Sequence, residues 1–207
     1  SQAPYQPMAM TLADYAAQSA HLETLATAPA PVLLLPGPVA LRPAVSAALA
    51  RPALSHRSAE FRELFDRVRR RLQQLTQAPG VVLMAGGGTL ANDAVAAQLA
   101  ARQRFARDGK PGLVLVNGEF GLRLLDHARR WQLNAVPLHA EWGCAFEATQ
   151  VSQAIAGHRA AWVWATACET STGVRNDTPA LRQTCREQGA ALCLDGVSAV
   201  GLAHFDM

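Results

Sequence analysis

The chain has 207 residues, of which 50 % are hydrophobic and 17 % charged, with a formal net charge of +3. That is enough apolar material for one sizeable core, with room for an extension. The weak charge offers no clustered basic patch for a nucleic-acid partner, and no apolar stretch approaches the length of a membrane span.

Residues 1–31 are rich in Ala, Pro, Gln and Thr and read as an N-terminal extension, with one weakly amphipathic run, "TLADYAAQSAHLETLA". A secretory signal is not expected, because no basic region precedes an apolar core. The proline-rich "APAPVLLLPGP" should be extended or turning rather than a central strand. From "RPAVSAALA" the pattern turns helical. "SAEFRELFDRVRRRLQQLT" predicts an amphipathic helix, with Ser58 as N-cap and Phe61, Leu64, Phe65, Val68, Leu72 and Leu75 at helical spacing. Residues 32–75 read as an arm and helix, and 76–207 as the first part of a larger domain.

After Pro79-Gly80 a regular alternation begins. "VVLMA" reads as a strand, "GGGT" as a tight loop and "LANDAVAAQLAARQRFA" as a helix. "GLVLV" is a strand and "EFGLRLLDHARRWQ" a helix. "AVPLHA" and "EATQVSQAIAG" repeat the pattern, as do "AAWVWATA" and "TPALRQTCREQG". "AALCLDG" is the last strand. Buried strands alternating with amphipathic helices mean an α/β fold of three layers, with a mostly parallel sheet between helices. Ligands bind such sheets at the carboxyl ends of the strands. The informative residues are therefore Gly86 to Thr89, Asn117 to Phe120, Glu169 to Thr172 and Asp195 to Ser198, expected along one edge.

The chain carries 18 arginines and a single lysine, Lys110. Arginine cannot serve as a nucleophilic amine at neutral pH. Cys144, Cys168, Cys185 and Cys193 form no CxxC pair, which predicts reduced thiols and a cytoplasmic home. The six histidines are scattered, so no metal site is expected.

In "AGGGTLAN" glycines precede a helix start, a geometry that lets backbone N–H groups and the helix dipole meet a phosphate. Gly86, Gly88 and Ala91 also satisfy G-x-G-x-x-A, the dinucleotide pattern. That reading needs an acid after the next strand to hold a ribose, and the neutral Asn117 stands there. Asp108, at the nominal spacing, precedes that strand in a turn. A purely structural turn is the third reading.

Phe120, between two glycines, is either a core residue or an aromatic exposed at the strand ends, able to stack on a flat heterocycle. Glu169, Thr170, Ser171 and Thr172 are either a capping and turn cluster or a set of hydroxyls facing a polar ligand. Asp195 ends an apolar strand with no Lys or Arg near it in sequence. A buried carboxylate needs a donor or a cation, so it is a cap, a turn acid or the partner of a ligand cation. Together these groups meet the needs of pyridoxal 5'-phosphate: an anion cradle, a stacking surface, a hydroxyl near the phenolic oxygen, and a carboxylate that keeps the pyridine nitrogen protonated.

The segments "LLLPGPVALRPAVSAALARPALSHRSAEFRELF", "VLMAGGGTLANDAVAAQLA", "VLVNGEFGLR", "CETSTGVRND" and "LCLDGVSAVG" occur in the order seen in class V pyridoxal-phosphate aminotransferases. Over residues 32–207 the chain resembles the alanine/serine–glyoxylate and 2-aminoethylphosphonate branch. The resemblance implies that Gly87, Gly88 and Thr89 bind the cofactor phosphate, that Phe120 stacks on its ring, where relatives often have tryptophan, and that Thr170 lies near its phenolic oxygen. It further implies that Asp195 meets the pyridinium nitrogen with Ser198 close by, and that Gly37 lines the substrate pocket.

It implies the large domain of the fold type I transferases and an amino acid and a 2-oxo acid as substrates. It also implies a homodimer or larger oligomer, with residues 58–75 near the subunit boundary. The family's covalent anchor is a lysine beyond this aspartate, and the sequence reaches Met207 before that motif. The chain therefore reads as the N-terminal portion of such an enzyme, inactive alone. Cysteine desulfurases and kynureninases share much of this fold. A non-catalytic scaffold and a nicotinamide-dependent oxidoreductase are the other readings.

Overall fold

The computed structural model describes residues 34–35, 37–106 and 109–201, without the side chains of 105 and 106. The chain divides into two compact units, 1–50 and 51–207. The first contains α1 (Pro43–Leu49), opened by a proline whose missing donor costs nothing there. The expected helix within residues 1–31 lies outside the described residues, as does Asp108.

The second unit opens with α2 (Ala59–Thr76), in which Ser58 accepts the Phe61 N–H at 3.1 Å as the expected N-cap. No residue of α2 is buried. Next come α3 (Gly88–Ala106), β1 (Gly112–Val116), α4 (Glu119–Arg130), β2 (Ala135–His139), α5 (Ala148–His158) and β3 (Trp162–Thr166). The two-residue strands β4 (Cys168–Glu169) and β5 (Val174–Arg175) form a hairpin, and α6 (Thr178–Glu187) and β6 (Ala191–Asp195) follow.

The main sheet has the order β2-β1-β3-β6, all parallel. Its two central strands, "GLVLV" and "WVWAT", are buried at every position. That is what helices on both faces require of a parallel strand. On one face Val114, Val116 and Trp164 pack with Leu99 of α3 and with Leu124, Leu125 and Ala128 of α4. On the other, Leu113, Leu115 and Val163 pack with Val151 and Ile155 of α5 and with Leu181 of α6. The alternation along β1 divides its side chains between these two cores. The result is the expected three-layer α/β/α architecture, partial in extent.

The register sets the functional edge. Val116 pairs with His139, and Thr166 pairs with Asp195. The carboxyl ends of all four strands therefore lie together.

One sequence expectation fails, and one element goes unforeseen. "VVLMA" is not a strand: residues 81–84 have no regular structure, and Val82 is 82 % exposed. An apolar run becomes a strand only beside a ladder partner, and none of the described strands lies beside it. The "CETSTGVR" loop, in turn, contains the β4–β5 hairpin, whose strands are too short for periodicity to reveal.

Candidate functional site

The first part of the site is the start of α3. Gly87 accepts the Leu90 N–H at 3.0 Å and the Ala91 N–H at 3.4 Å, closing the first turn. The backbone N–H groups ahead of them have no helical carbonyl to meet. A Cβ on Gly87 would meet nothing within 4 Å, whereas one on Gly88 would lie 2.7 Å from Val197 Cγ2. The loop is thus open on one side and pressed against the turn after β6 on the other. Gly86 packs against Leu90 instead. Thr89 lies on a surface groove that Arg123, His127 and Arg130 of α4 also line.

The second part is Asp195, the last residue of β6. Its Oδ1 accepts the Val197 N–H at 3.0 Å, and its Oδ2 accepts Nδ2 of Asn92 at 2.9 Å. The donor that sequence reasoning demanded is therefore an amide on α3. Only spacing could have signalled it: Asn92 stands one turn after Gly88. Ser198 lies in the turn directly behind Asp195.

The third part joins α4 to the β4–β5 hairpin. Glu169 is fully buried and caps α4. Its Oε2 accepts the Gly121 N–H at 2.9 Å, and its Oε1 accepts the Phe120 N–H at 3.3 Å. Ser171 donates its hydroxyl to Glu169 Oε1 at 2.6 Å and accepts the Glu119 N–H at 3.0 Å. Thr172 donates to the Glu169 carbonyl at 3.3 Å. Of the two readings of this run, Ser171 and Thr172 fit the capping and turn cluster. Thr170, just before them, is half-buried, and its side chain has no hydrogen bond with other described residues. Phe120 is half-buried, with the Arg123 guanidinium 5.0 Å from its ring centroid.

Asn117, the residue that weakened the dinucleotide pattern, is fully buried and donates to the Cys144 carbonyl and to Asn176 Oδ1. Its own Oδ1 and the Thr166 hydroxyl are buried without partners among the described residues. Both stand at the carboxyl edge, where buried polar atoms call for a water or a ligand group.

Asp93, beside Asn92, accepts from His127 Nδ1 at 2.6 Å and from Trp131 Nε1 at 3.3 Å. The His127 hydrogen bond is the main reason its carboxyl is held below the usual range. Burial pushes the Cys185 and Cys193 thiols up to about 11, so neither is a nucleophile at neutral pH. Among the described residues no three His, Cys, Asp or Glu side chains could hold a metal, and no helix is long and apolar enough to cross a membrane.

The structure thus brings the starts of α3 and α4, Thr170, Asp195 and Ser198 to one edge of one sheet. Gly37 belongs to the other compact unit. Lys110 stands two residues before β1 and so at the opposite edge, about 16 Å away by the rise of a five-residue strand. An open glycine loop, a half-buried aromatic and a carboxylate with both oxygens held fit a phosphorylated, protonated heterocycle such as pyridoxal phosphate.

Residues 25–207 match the family described as "Aminotransferase class-V". The soluble hydrogenase 42 kDa subunit of Anabaena cylindrica is 33 % identical over 82 % of this chain and 44 % of its own length. The 2-aminoethylphosphonate–pyruvate transaminase of Pseudomonas aeruginosa is 32 % identical over 86 % of this chain and 47 % of its own. Among solved structures, the alanine–glyoxylate aminotransferase of Nostoc sp. superposes with a TM-score of 0.74 at 31 % identity, over 84 % of this chain and 45 % of that one. The chain spans less than half the length of these relatives.

Proposed function

The chain belongs to the class-V aminotransferase family, and from that premise we propose that it is the cofactor-cradling portion of a pyridoxal-phosphate aminotransferase. The observation that carries this reading is Asp195, held by Asn92 and Val197 at the same sheet edge as the glycine loop. When bound, pyridoxal phosphate supplies an electron sink for the carbanion formed beside the amino group. In this reading the N–H groups of Gly87, Gly88 and Thr89 bind the phosphate, with the α3 dipole adding to the attraction. Phe120 stacks on the ring, and the Thr170 hydroxyl meets its phenolic oxygen. Asp195 keeps a proton on the ring nitrogen, and Ser198 lies beside it.

The substrates of the whole protein are an amino acid and a 2-oxo acid, in line with the alanine–glyoxylate and 2-aminoethylphosphonate–pyruvate pairs in its relatives' names. The exposed apolar residues Leu64, Phe65, Val68 and Leu75 of α2 support a dimer contact there. The four cysteines are unpaired, which supports a reducing, cytoplasmic home.

Lys110 is the only lysine in the chain and stands at the wrong sheet edge, so the chain alone does not turn over. Absorbance titration of the chain with pyridoxal phosphate tests the reading. Saturable binding that Asp195→Asn weakens, with no borohydride-fixed adduct on Lys110, is expected. Absence of binding, or turnover through an adduct on Lys110, would overturn it.

A further inference from the structure

Asp195 could be held by its own turn alone. The Val197 N–H reaches Oδ1 two residues away, a local contact that Asp often makes. One such bond leaves the carboxylate plane free to swing about Cβ–Cγ. The second bond, from Asn92 to Oδ2 at 2.9 Å, spans 103 positions of sequence and removes that freedom. It leaves each oxygen a further lone pair for an incoming donor.

The choice of residue carries a cost. Asn92 sits in the second turn of a 19-residue helix, where asparagine is a weaker helix former than the alanines and leucines around it. Propensity is sacrificed at an α3 position that touches the carboxylate. Gly88, four residues earlier and about 6 Å along the axis, is pressed against Val197. Helix and turn therefore meet at two points.

We infer that Asn92 is a positioning residue: it fixes the carboxylate that meets the cofactor's ring nitrogen and ties it, through one turn of α3, to the phosphate cradle. This rests on the cofactor reading above. A ligand that fills the cradle finds the ring-nitrogen partner already at a set distance, because one rigid helix carries both.

The test uses the full chain with pyridoxamine 5'-phosphate labelled with nitrogen-15 in the ring, which needs no lysine to bind. Fluorescence titration gives its affinity, and the nitrogen-15 shift reports ring protonation across pH. Asn92→Leu keeps the side chain's shape and removes the donor. Asn92→Ala raises helix propensity and is the second variant should leucine fail to fold by circular dichroism. Both are expected to weaken binding about tenfold at pH 8, the size of one hydrogen bond to a charged group. The ring-nitrogen titration is expected to move down by about one pH unit.

A bond that merely joined α3 to β6 would lower the unfolding midpoint and leave that titration where it is. Wild-type binding, with ring protonation unchanged in both variants, overturns the inference and leaves the cofactor reading standing. No binding by the wild-type chain overturns both.

Discussion

Glu169→Ala is the sharpest test of how the hairpin builds the site. The Glu169 carboxylate is fully buried and accepts four hydrogen bonds, from the N–H groups of Phe120, Gly121 and Ser171 and from the Ser171 hydroxyl. Two of these donors open α4, where the helix has no carbonyl for them and its dipole favours an anion. Removing the acid leaves at least the Phe120 and Gly121 donors without an acceptor. Each buried, unsatisfied donor costs about 1–3 kcal/mol. Water admitted to the space would recover part of that, so the expected loss is about 3–4 kcal/mol.

In a unit of this size such a loss lowers the melting temperature by about 10 °C. Glu169→Gln keeps one acceptor oxygen but turns an amide N–H toward the remaining donors, and should cost about half as much. Urea unfolding followed by circular dichroism measures both. The first turn of α4 carries Phe120, so cofactor affinity should fall with stability. A loss under about 1 kcal/mol for Glu169→Ala would refute the claim that this carboxylate, rather than packing, holds the start of α4.

A Cβ on Gly121 would lie 2.8 Å from Val116 Cα and 2.9 Å from the Leu115 carbonyl oxygen. Backbone cannot rotate away, so Gly121→Ala should cost about 2–3 kcal/mol, while Gly87→Ala, in open space, stays near wild type; equal urea midpoints would contradict this. Asp93 binds its proton less tightly in the folded chain than in the unfolded one. Its contribution to stability is thus present above the ordinary carboxyl range and lost as pH falls below about 4. The stability gap between wild type and Asp93→Asn should narrow as pH falls below about 4, and a constant gap there would show that the His127 contact is not the cause. With Cys185 and Cys193 raised to about 11, iodoacetamide at pH 8 should label the exposed Cys144 in the native chain and spare those two. Mass spectrometry of the peptides reads the outcome.

What the sequence showed and what it hid separate along a physical line. The buried strands, the helices between them and the Ser58 cap follow from local pattern and composition, and each stands where that pattern put it. "VVLMA" has the composition of a strand but no partner strand, and pairing is a property of the neighbour. The hairpin around "CETSTG" has strands of two residues, too short to show a period, and its Glu169 reaches a helix far back in the chain. Neither feature is written in its own residues.

The candidate site follows the same division. The glycine loop, Phe120 and Asp195 could be singled out because each is chemically odd in its place, and Thr170 only through the family resemblance. Of their partners, Asn92 could not, because it looks ordinary where it stands, and Glu169 could be read as a capping acid without any sign of which helix it caps. Asn92 is one polar residue in a helix, and Glu169 one acid in a polar run. An unpaired charge announces that a partner exists, since burying it alone is too costly, but it does not say from how far along the chain that partner comes. In this fold the partners come from α3 and from the hairpin after β3. The two carboxylates therefore have opposite uses. Glu169, with four donors and no exposure, is fully engaged in holding α4. Asp195, with one donor on each oxygen, is oriented and still able to accept another.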